Sequence, residues 1–412
     1  MSKIDSGKMV WPNSSPRREE MTGKERMAVA MNMRQPDRVP VMCQLSLGHY
    51  FIQCPPTAVE IWHSSEAFAD SLIMLQQRYR FDGILVNLPG RDPEWRASVR
   101  RMDQSEGKIV IHWKNGWYTV CPDDDNPHVF RENGRRFFPS FEEIDPEKLF
   151  YVEPHEIGGV SYPQSWGFAG EPVDRNDFFP SWYFDSIDRV IRRAGRDISV
   201  HGELFSPFSQ FMELLNYSNG LLALMEDPEK SEACLDGLTR GAIVLGRKLA
   251  ARGADAILIS SAFAGAGFIS PDQYRRFVLP YEKKIIRAIR EESPIPIYTH
   301  TCGSIGDRLE LMKSTGTNGI DTLDPPPLGN VRLDDAKRRI GGRLFIKGNL
   351  DPVGVLLNGN AQNVMGEARK CLEQAAFGGG YILSSACSVP PFAPAENISL
   401  LYEAVEEFGK YG

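Results

Sequence analysis

Residues 294–303 read Pro-Ile-Pro-Ile-Tyr-Thr-His-Thr-Cys-Gly, an apolar run that ends in two metal-competent side chains and a glycine. Side chains at i and i+2 of a strand point to one face, so His300 and Cys302 project together from the strand's tip. An imidazole and a thiolate on one face are two of the donors a zinc site uses, and a third soft donor would complete it. With 7 His and 7 Cys among 412 residues, a random order would give only about 0.1 His-x-Cys triplets. The structural alternative is a hydrogen-bonded strand histidine beside a buried, inert cysteine.

The same stretch is one beat of a strand–helix alternation that decides the fold. Upstream come strand Ile198–Leu204 and a long helix opened by Asp227-Pro228 and closed by Gly253. Strand Ala256–Ser260 and helix 271–292, opened by Ser270-Pro271, follow. Cap, first-turn proline and terminal glycine agree on these boundaries. Downstream the pattern continues with helix 305–315, strand Gly319–Leu323, helix 333–340, strand Arg343–Lys347, helix 361–376, strand Tyr381–Ser385 and a last helix, 395–410. Pro280 is expected to kink the helix that contains it.

Toward the amino terminus, Thr22-Gly-Lys-Glu predicts a capped helix start with Glu25 at the capping-box position. That helix ends near Arg34. Pro36-Asp-Arg-Val-Pro leads into strand Val39–Leu45, and strand 83–88 follows a helical stretch at 66–79. Eight strands are then expected, near 40, 84, 200, 257, 298, 321, 345 and 382. Setting aside residues 1–37 and 88–197 leaves 265 residues, close to the roughly 250 of a (β/α)8 TIM barrel. The expectation is therefore an α/β protein. Residues 1–37 form an N-terminal arm and first helix, and 38–412 a TIM barrel with a large insertion, 88–197, after strand two. A doubly wound sheet is disfavoured because no Gly-rich dinucleotide fingerprint follows an early strand.

Residues 1–22 are polar, charged and rich in Ser and Pro, and read as a poorly ordered arm. The insertion holds a hairpin, Lys108–Trp113 and Trp117–Cys121 around Asn115-Gly116, and many aromatics: Trp113, Trp117, Tyr118, Phe130, Phe137, Phe138, Trp166, Trp182 and Tyr183. They fit either a core of its own or an apolar cover for a site.

Composition narrows function. The chain is 42% hydrophobic and 25% charged with a net charge of −7, ordinary for a globular protein and without a basic field for nucleic acid or anionic lipid. Its seven cysteines are odd in number and scattered, which suits a reducing cytoplasm and leaves thiols free for metal. No stretch approaches a membrane span, and the polar start is unlike a signal peptide, so a cytoplasmic protein is expected.

Barrel chemistry gathers at the carboxyl ends of the strands. Candidates there are His300 and Cys302, Asp324 in Ile-Asp-Thr-Leu-Asp-Pro-Pro-Pro, Asn349 in Lys-Gly-Asn-Leu-Asp-Pro, Cys387 in Ser-Ser-Ala-Cys-Ser-Val-Pro-Pro and Glu203. Cys43 is the rival third thiol, while Cys234 and Cys371 fall within helix patterns. Asp324 reads equally as a metal ligand and as a cap of its proline-rich turn. Glu203 is a candidate acid, base or substrate contact, or a salt-bridged carboxylate. Asn349 has a catalytic reading beside that of a turn brace.

Four stretches, Gly-Ile-Asp-Thr-Leu-Asp, Lys-Gly-Asn-Leu-Asp-Pro, Gly-Gly-Tyr-Ile-Leu and Pro-Ala-Glu-Asn, occur in this order, with Pro36-Asp-Arg-Val-Pro near the start. Over residues 22–90 and 198–410 the chain thereby resembles the uroporphyrinogen decarboxylase superfamily. Within it, His-x-Cys followed by a distant Cys is similar to the zinc-dependent, corrinoid-linked methyltransferases. That resemblance implies a (β/α)8 barrel with Zn2+ held by the residues matching His300, Cys302 and Cys387. It also implies a displaceable fourth ligand, for which Asp324 is the nearest match. It further implies a methyl group moved between a corrinoid (cobalamin) carried by a partner protein and a thiol, folate or methylated small molecule. A second copy of the chain is a further candidate partner. The alternative enzyme, a uroporphyrinogen decarboxylase acting on a porphyrinogen, resembles a site with an Arg-rich loop after strand one. Here that loop reads Ser46-Leu-Gly-His-Tyr-Phe-Ile-Gln-Cys, with no arginine. A mouth neutral to acidic around the metal is expected, with Arg91, Arg96 and Arg100 the nearest basic residues of the insertion. A non-catalytic binding barrel would leave the thiol pair without purpose.

Overall fold

The structure, a computed structural model, describes residues 21–134, 138–153 and 178–411. The expected arm over 1–20, and Phe137 and Trp166, lie outside these residues. The strands are β1 (Gly83–Val86), β2 (Val99–Ser105), β3 (Lys108–Trp113), β4 (Tyr118–Pro122), β5 (His128–Phe130), β6 (Ser199–Phe205), β7 (Ala256–Ser260), β8 (Ile297–Thr301), β9 (Gly319–Thr322), β10 (Phe345–Leu350) and β11 (Tyr381–Ser385). β1 and β6 to β11 make one parallel sheet of seven strands in sequence order. Every residue of β7 to β11 is buried, as expected of a parallel sheet covered on both faces.

The expected first strand is present only as isolated pairings. Val41 bridges Leu383 and Leu45 bridges Val389, both parallel, while the Val41 carbonyl accepts from the Asp82 N–H at 2.8 Å. The segment thus stands between β11 and β1, and eight staves lie side by side in a TIM-barrel-like arrangement. Its ladder is thin for local reasons. Pro40 has no N–H to give, and the Val41 N–H is taken by the Asp82 carboxylate at 2.8 Å. That carboxylate also joins Arg26 at 2.6 Å and Arg38 at 2.8 Å, all three buried. Pro36-Asp-Arg-Val-Pro is therefore a clamp that ties the first helix, Gly23–Met31, and the first stave to the start of β1.

Helix starts follow the local chemistry. Thr22 and Glu25 form the capping box at Gly23–Met31, and Asp227 caps Pro228–Ala251. Pro280 does not kink a continuous helix. The chain breaks at Val278 into Pro271–Phe277 and Leu279–Arg290, and Pro280 sits in the first turn of the second, where its missing N–H costs nothing. Four further short helices were not expected: Leu47–Gln53, Ala58–His63, Pro207–Leu215 and Tyr217–Glu226.

Between β1 and β6 the chain forms an antiparallel sheet, β2-β3-β4-β5, and helix Asp185–Ala194, which packs on β1, β6 and helix Ser65–Tyr79. Its aromatics divide. Trp95 and Trp113 form a small core with Val59, Ile111 and Cys121, and Trp95 stacks on His63 at 4.2 Å. Phe150, Tyr151, Phe178, Phe179, Tyr183 and Phe184 join the main core.

Candidate metal centre

Parallel register places three charged residues side by side across the sheet, His300 of β8 opposite Asp321 of β9, and Asp321 opposite Lys347 of β10. All three are buried. His300 Nδ1 lies 3.1 Å from Asp321 Oδ2, and Lys347 Nζ donates to Asp321 Oδ1 at 2.9 Å. A carboxylate only accepts, so Nδ1 carries the proton and Nε2 is turned toward the sulfurs. Nε2 stands 3.3 Å from Cys302 Sγ, and Cys302 Sγ stands 3.7 Å from Cys387 Sγ. The three donor atoms lie within 4.8 Å of one another. A tetrahedral zinc would set two sulfurs about 3.8 Å apart and sulfur and nitrogen about 3.6 Å apart, so the donors present fit that ion in kind and in spacing.

Local backbone geometry delivers these atoms. Gly303 turns with φ +76°, a conformation that favours glycine, and its N–H donates to Asp324 Oδ2 at 2.5 Å. Gly265, after β7, lets the chain pass close to the Cys302 carbonyl, where a methyl group would stand 2.3 Å from the oxygen. Cys387 follows β11 in a loop anchored by the Ala386 N–H donating to the Leu350 carbonyl at 2.7 Å.

The electrostatics favour a thiolate at this point. Cys387 is lowered well below the usual thiol range by its hydrogen bonds with Cys302 and His300. Cys302 is raised by the Cys387 sulfur beside it and by burial. Burial works against a charged His300, yet Asp321 and Cys387 hold it up at about 10. Asp321 is buried too, and Lys347 and His300 keep its carboxyl below the usual range.

Asp324 follows β9 beside the cluster. Burial and the Cys387 thiolate raise its carboxyl to about 6 against the pull of the Gly303 N–H, and its Oδ1 is buried without a hydrogen-bond partner. Its turn contact with Gly303 and its unused oxygen serve both readings of this residue. Cys43 is not among the converging donors; its sulfur accepts from the Ser385 N–H at 3.4 Å. The Asn349 amide donates to the Leu323 carbonyl at 2.8 Å, and its oxygen faces Cys371 Sγ at 3.8 Å.

Glu203 stands on β6, one strand removed from the His300 strand. It lines a cavity with Asn87, Tyr151, Glu153, Tyr183 and Phe205, and burial pushes its carboxyl up to about 7 although His300 and Ser260 oppose the shift. The loop after the first stave is helix Leu47–Gln53, whose His49 is buried between Tyr79 Oη at 2.8 Å and the Pro391 carbonyl at 3.1 Å. Arg91 is turned against Trp62, donating to its carbonyl at 2.6 Å.

Asp321 and Lys347 were not singled out from the sequence. Both stand inside the quoted motifs, and the signal was the chance that a strand residue next to the His300 strand carries the carboxylate that a ligating histidine needs.

Residues 171–408 match the family model of uroporphyrinogen decarboxylase (URO-D). The chain is 28% identical over 395 residues to the methylcobamide:CoM methyltransferase MtbA of Methanosarcina mazei, covering 94% of this chain and 99% of that protein. It is 27% identical over 224 residues to the protein of that name from Methanosarcina acetivorans, a match spanning 54% of this chain and 62% of the relative. The solved structure of a methyltransferase from Methanosarcina mazei aligns with a TM-score of 0.67 at 20% identity, over 94% of this chain and 99% of that one, and shares its fold. The chain therefore belongs to the uroporphyrinogen decarboxylase (URO-D) family, on the branch of its corrinoid-linked methyltransferase relatives.

Proposed function

We propose that this chain is a zinc-dependent methyltransferase that moves a methyl group between a corrinoid carried by a partner protein and a small thiol. Folate and methylated small molecules are the other substrates within the proposal. The observation that carries it is the convergence of His300, Cys302 and Cys387 on one point at the carboxyl ends of β8 and β11. When bound there, zinc supplies the charge that keeps an incoming thiol ionised, while two protein thiolates leave its sulfur electron-rich enough to attack a methyl–cobalt carbon. His300 is oriented for ligation by Asp321. Cys302 and Cys387 bring the negative charge. Asp324 is the replaceable fourth donor, supported by its unpaired Oδ1. Glu203, on β6 and within electrostatic reach of His300, is the candidate substrate contact, and Asn349, tied to the Leu323 carbonyl, is the second candidate catalytic residue.

The barrel is a complete (β/α)8 ring, and 88–197 is an insertion that reaches its mouth, supported by Tyr151, Glu153 and Tyr183 lining the Glu203 cavity. The corrinoid protein docks at that mouth, and a second copy of the chain is a candidate partner. The protein works in the cytoplasm, which its seven free cysteines support; no helix among the described residues is long and apolar enough to cross a membrane. The purified chain is expected to contain about one zinc. Methyl transfer from a methylated corrinoid to a thiol should stop on chelation and return with zinc. Full transfer by metal-free protein would end this reading.

A further inference from the structure

His300, Asp321 and Lys347 form a continuous buried row, and its two ends differ in what they can offer. The Lys347 ammonium has donors only and can pair only with an acceptor. Among the described residues Asp321 is the one carboxylate it reaches. With Oδ1 taken at 2.9 Å, Oδ2 is the atom left for His300, at 3.1 Å. We propose that Lys347 is a positioning residue for the metal centre: by holding Oδ1 of Asp321 it fixes the carboxylate, and through it the imidazole nitrogen that faces Cys302 and Cys387. This role presupposes the metal centre proposed above.

The row's polarity has a consequence that a packing role lacks. In Asp321→Asn, Lys347 still needs an acceptor, and the oxygen is the only one the amide offers, so the NH2 group is turned toward His300 Nδ1. That nitrogen must then accept, the proton moves to Nε2, and the lone pair no longer faces the sulfurs. Removing the pin as well, in Asp321→Asn with Lys347→Met, frees the amide to rotate so that its oxygen again accepts from Nδ1–H. The second substitution should therefore repair part of the damage done by the first.

The test is zinc affinity by chelator competition on the full-length chain, with circular dichroism on each variant. Zinc held by the unaltered protein at about one per chain establishes the metal centre before any variant is compared. Asp321→Asn should weaken zinc binding by roughly 10–100-fold, Lys347→Met by less, and the double variant should recover several-fold over Asp321→Asn. A double variant that binds zinc no better than Asp321→Asn would overturn the proposal while leaving the metal centre standing. If Asp321→Asn alone does not fold, cadmium-113 loaded into the unaltered protein decides the matter. Coupling to His300 Nε2 with the proton kept on Nδ1 is expected, and coupling to Nδ1 overturns it.

Discussion

Cys302 Sγ and Cys387 Sγ stand 3.7 Å apart across 85 residues of sequence. No local element explains that approach; it follows from the parallel order β8-β9-β10-β11, which curls the last strand back within reach of the fifth stave. The pair ties chemistry to topology, and the first expectation tests it.

Cys302→Ala and Cys387→Ala should each remove most of the bound zinc, because either leaves only two of the three converging donors. Asp324→Ala should cost less, as it is outside the converging group of three. Metal content by atomic emission after dialysis reads the difference; equal loss in all three would make Asp324 an indispensable ligand.

The two enzyme classes separate by charge. A porphyrinogen with many carboxylates needs fixed cations, since each carboxylate taken into a low-dielectric site without a partner costs several kcal/mol. Helix Leu47–Gln53 contributes no arginine, and Glu203 and Glu153 line the nearby cavity. No porphyrinogen turnover should be detectable by chromatography of the products. Turnover that survives chelation would reverse the order of the two readings.

Asp82 should be among the least replaceable residues outside the site. Asp82→Ala leaves Arg26 and Arg38 buried with a large part of their compensation gone, and breaking a buried ion pair from one side costs about 3–5 kcal/mol. Thermal unfolding should show a loss of several degrees. Exchange of the Val41 amide should also quicken, because that N–H donates to the same carboxylate.

Glu282 is buried, accepts from Ser261 Oγ at 2.5 Å, and has its carboxyl raised to about 7, chiefly by burial. A carboxyl raised in the folded state binds its proton more tightly there than when unfolded, so its contribution to stability falls as pH rises from about 4.5 to about 7 and is level above that. The loss is on the order of 3 kcal/mol. Glu282→Gln keeps the shape and has no proton to lose. The melting temperature of the unaltered protein relative to this variant should drop between pH 5 and pH 7. A constant difference over that range would contradict the assignment.

Much of this architecture could be read from the chain because it is written in local periods. Strand 295–301, the caps at Thr22 and Asp227 and the proline at 271 each depend on residues a few positions away. Asp82 could not be read that way, since its partners Arg38 and Arg26 are 44 and 56 residues distant. The first stave could be read, but not the thinness of its ladder: Pro40 brings no N–H, and the Val41 N–H goes to the distant Asp82 side chain. In the site, His300 and Cys302 announced themselves by spacing, and Cys387 by its place after the last strand. Gly-Ile-Asp-Thr-Leu-Asp carries two aspartates three apart, and the sequence favoured Asp324 because it stands at the strand's tip. Only the offset between β8 and β9 shows that Asp321 meets His300, and that offset is set by the whole connection between the strands.

The split of the donors between β8 and the loop after β11 also orders events in the making of the protein. At roughly 5–20 residues per second, a ribosome exposes His300 and Cys302 on the order of 10 s before Cys387 exists. Two donors on an unfinished sheet grip an ion poorly. On the proposed zinc reading, metal acquisition would be a finishing step, available only to chains whose last strand has docked, and the zinc content of a population would count the molecules that completed their carboxyl-terminal half.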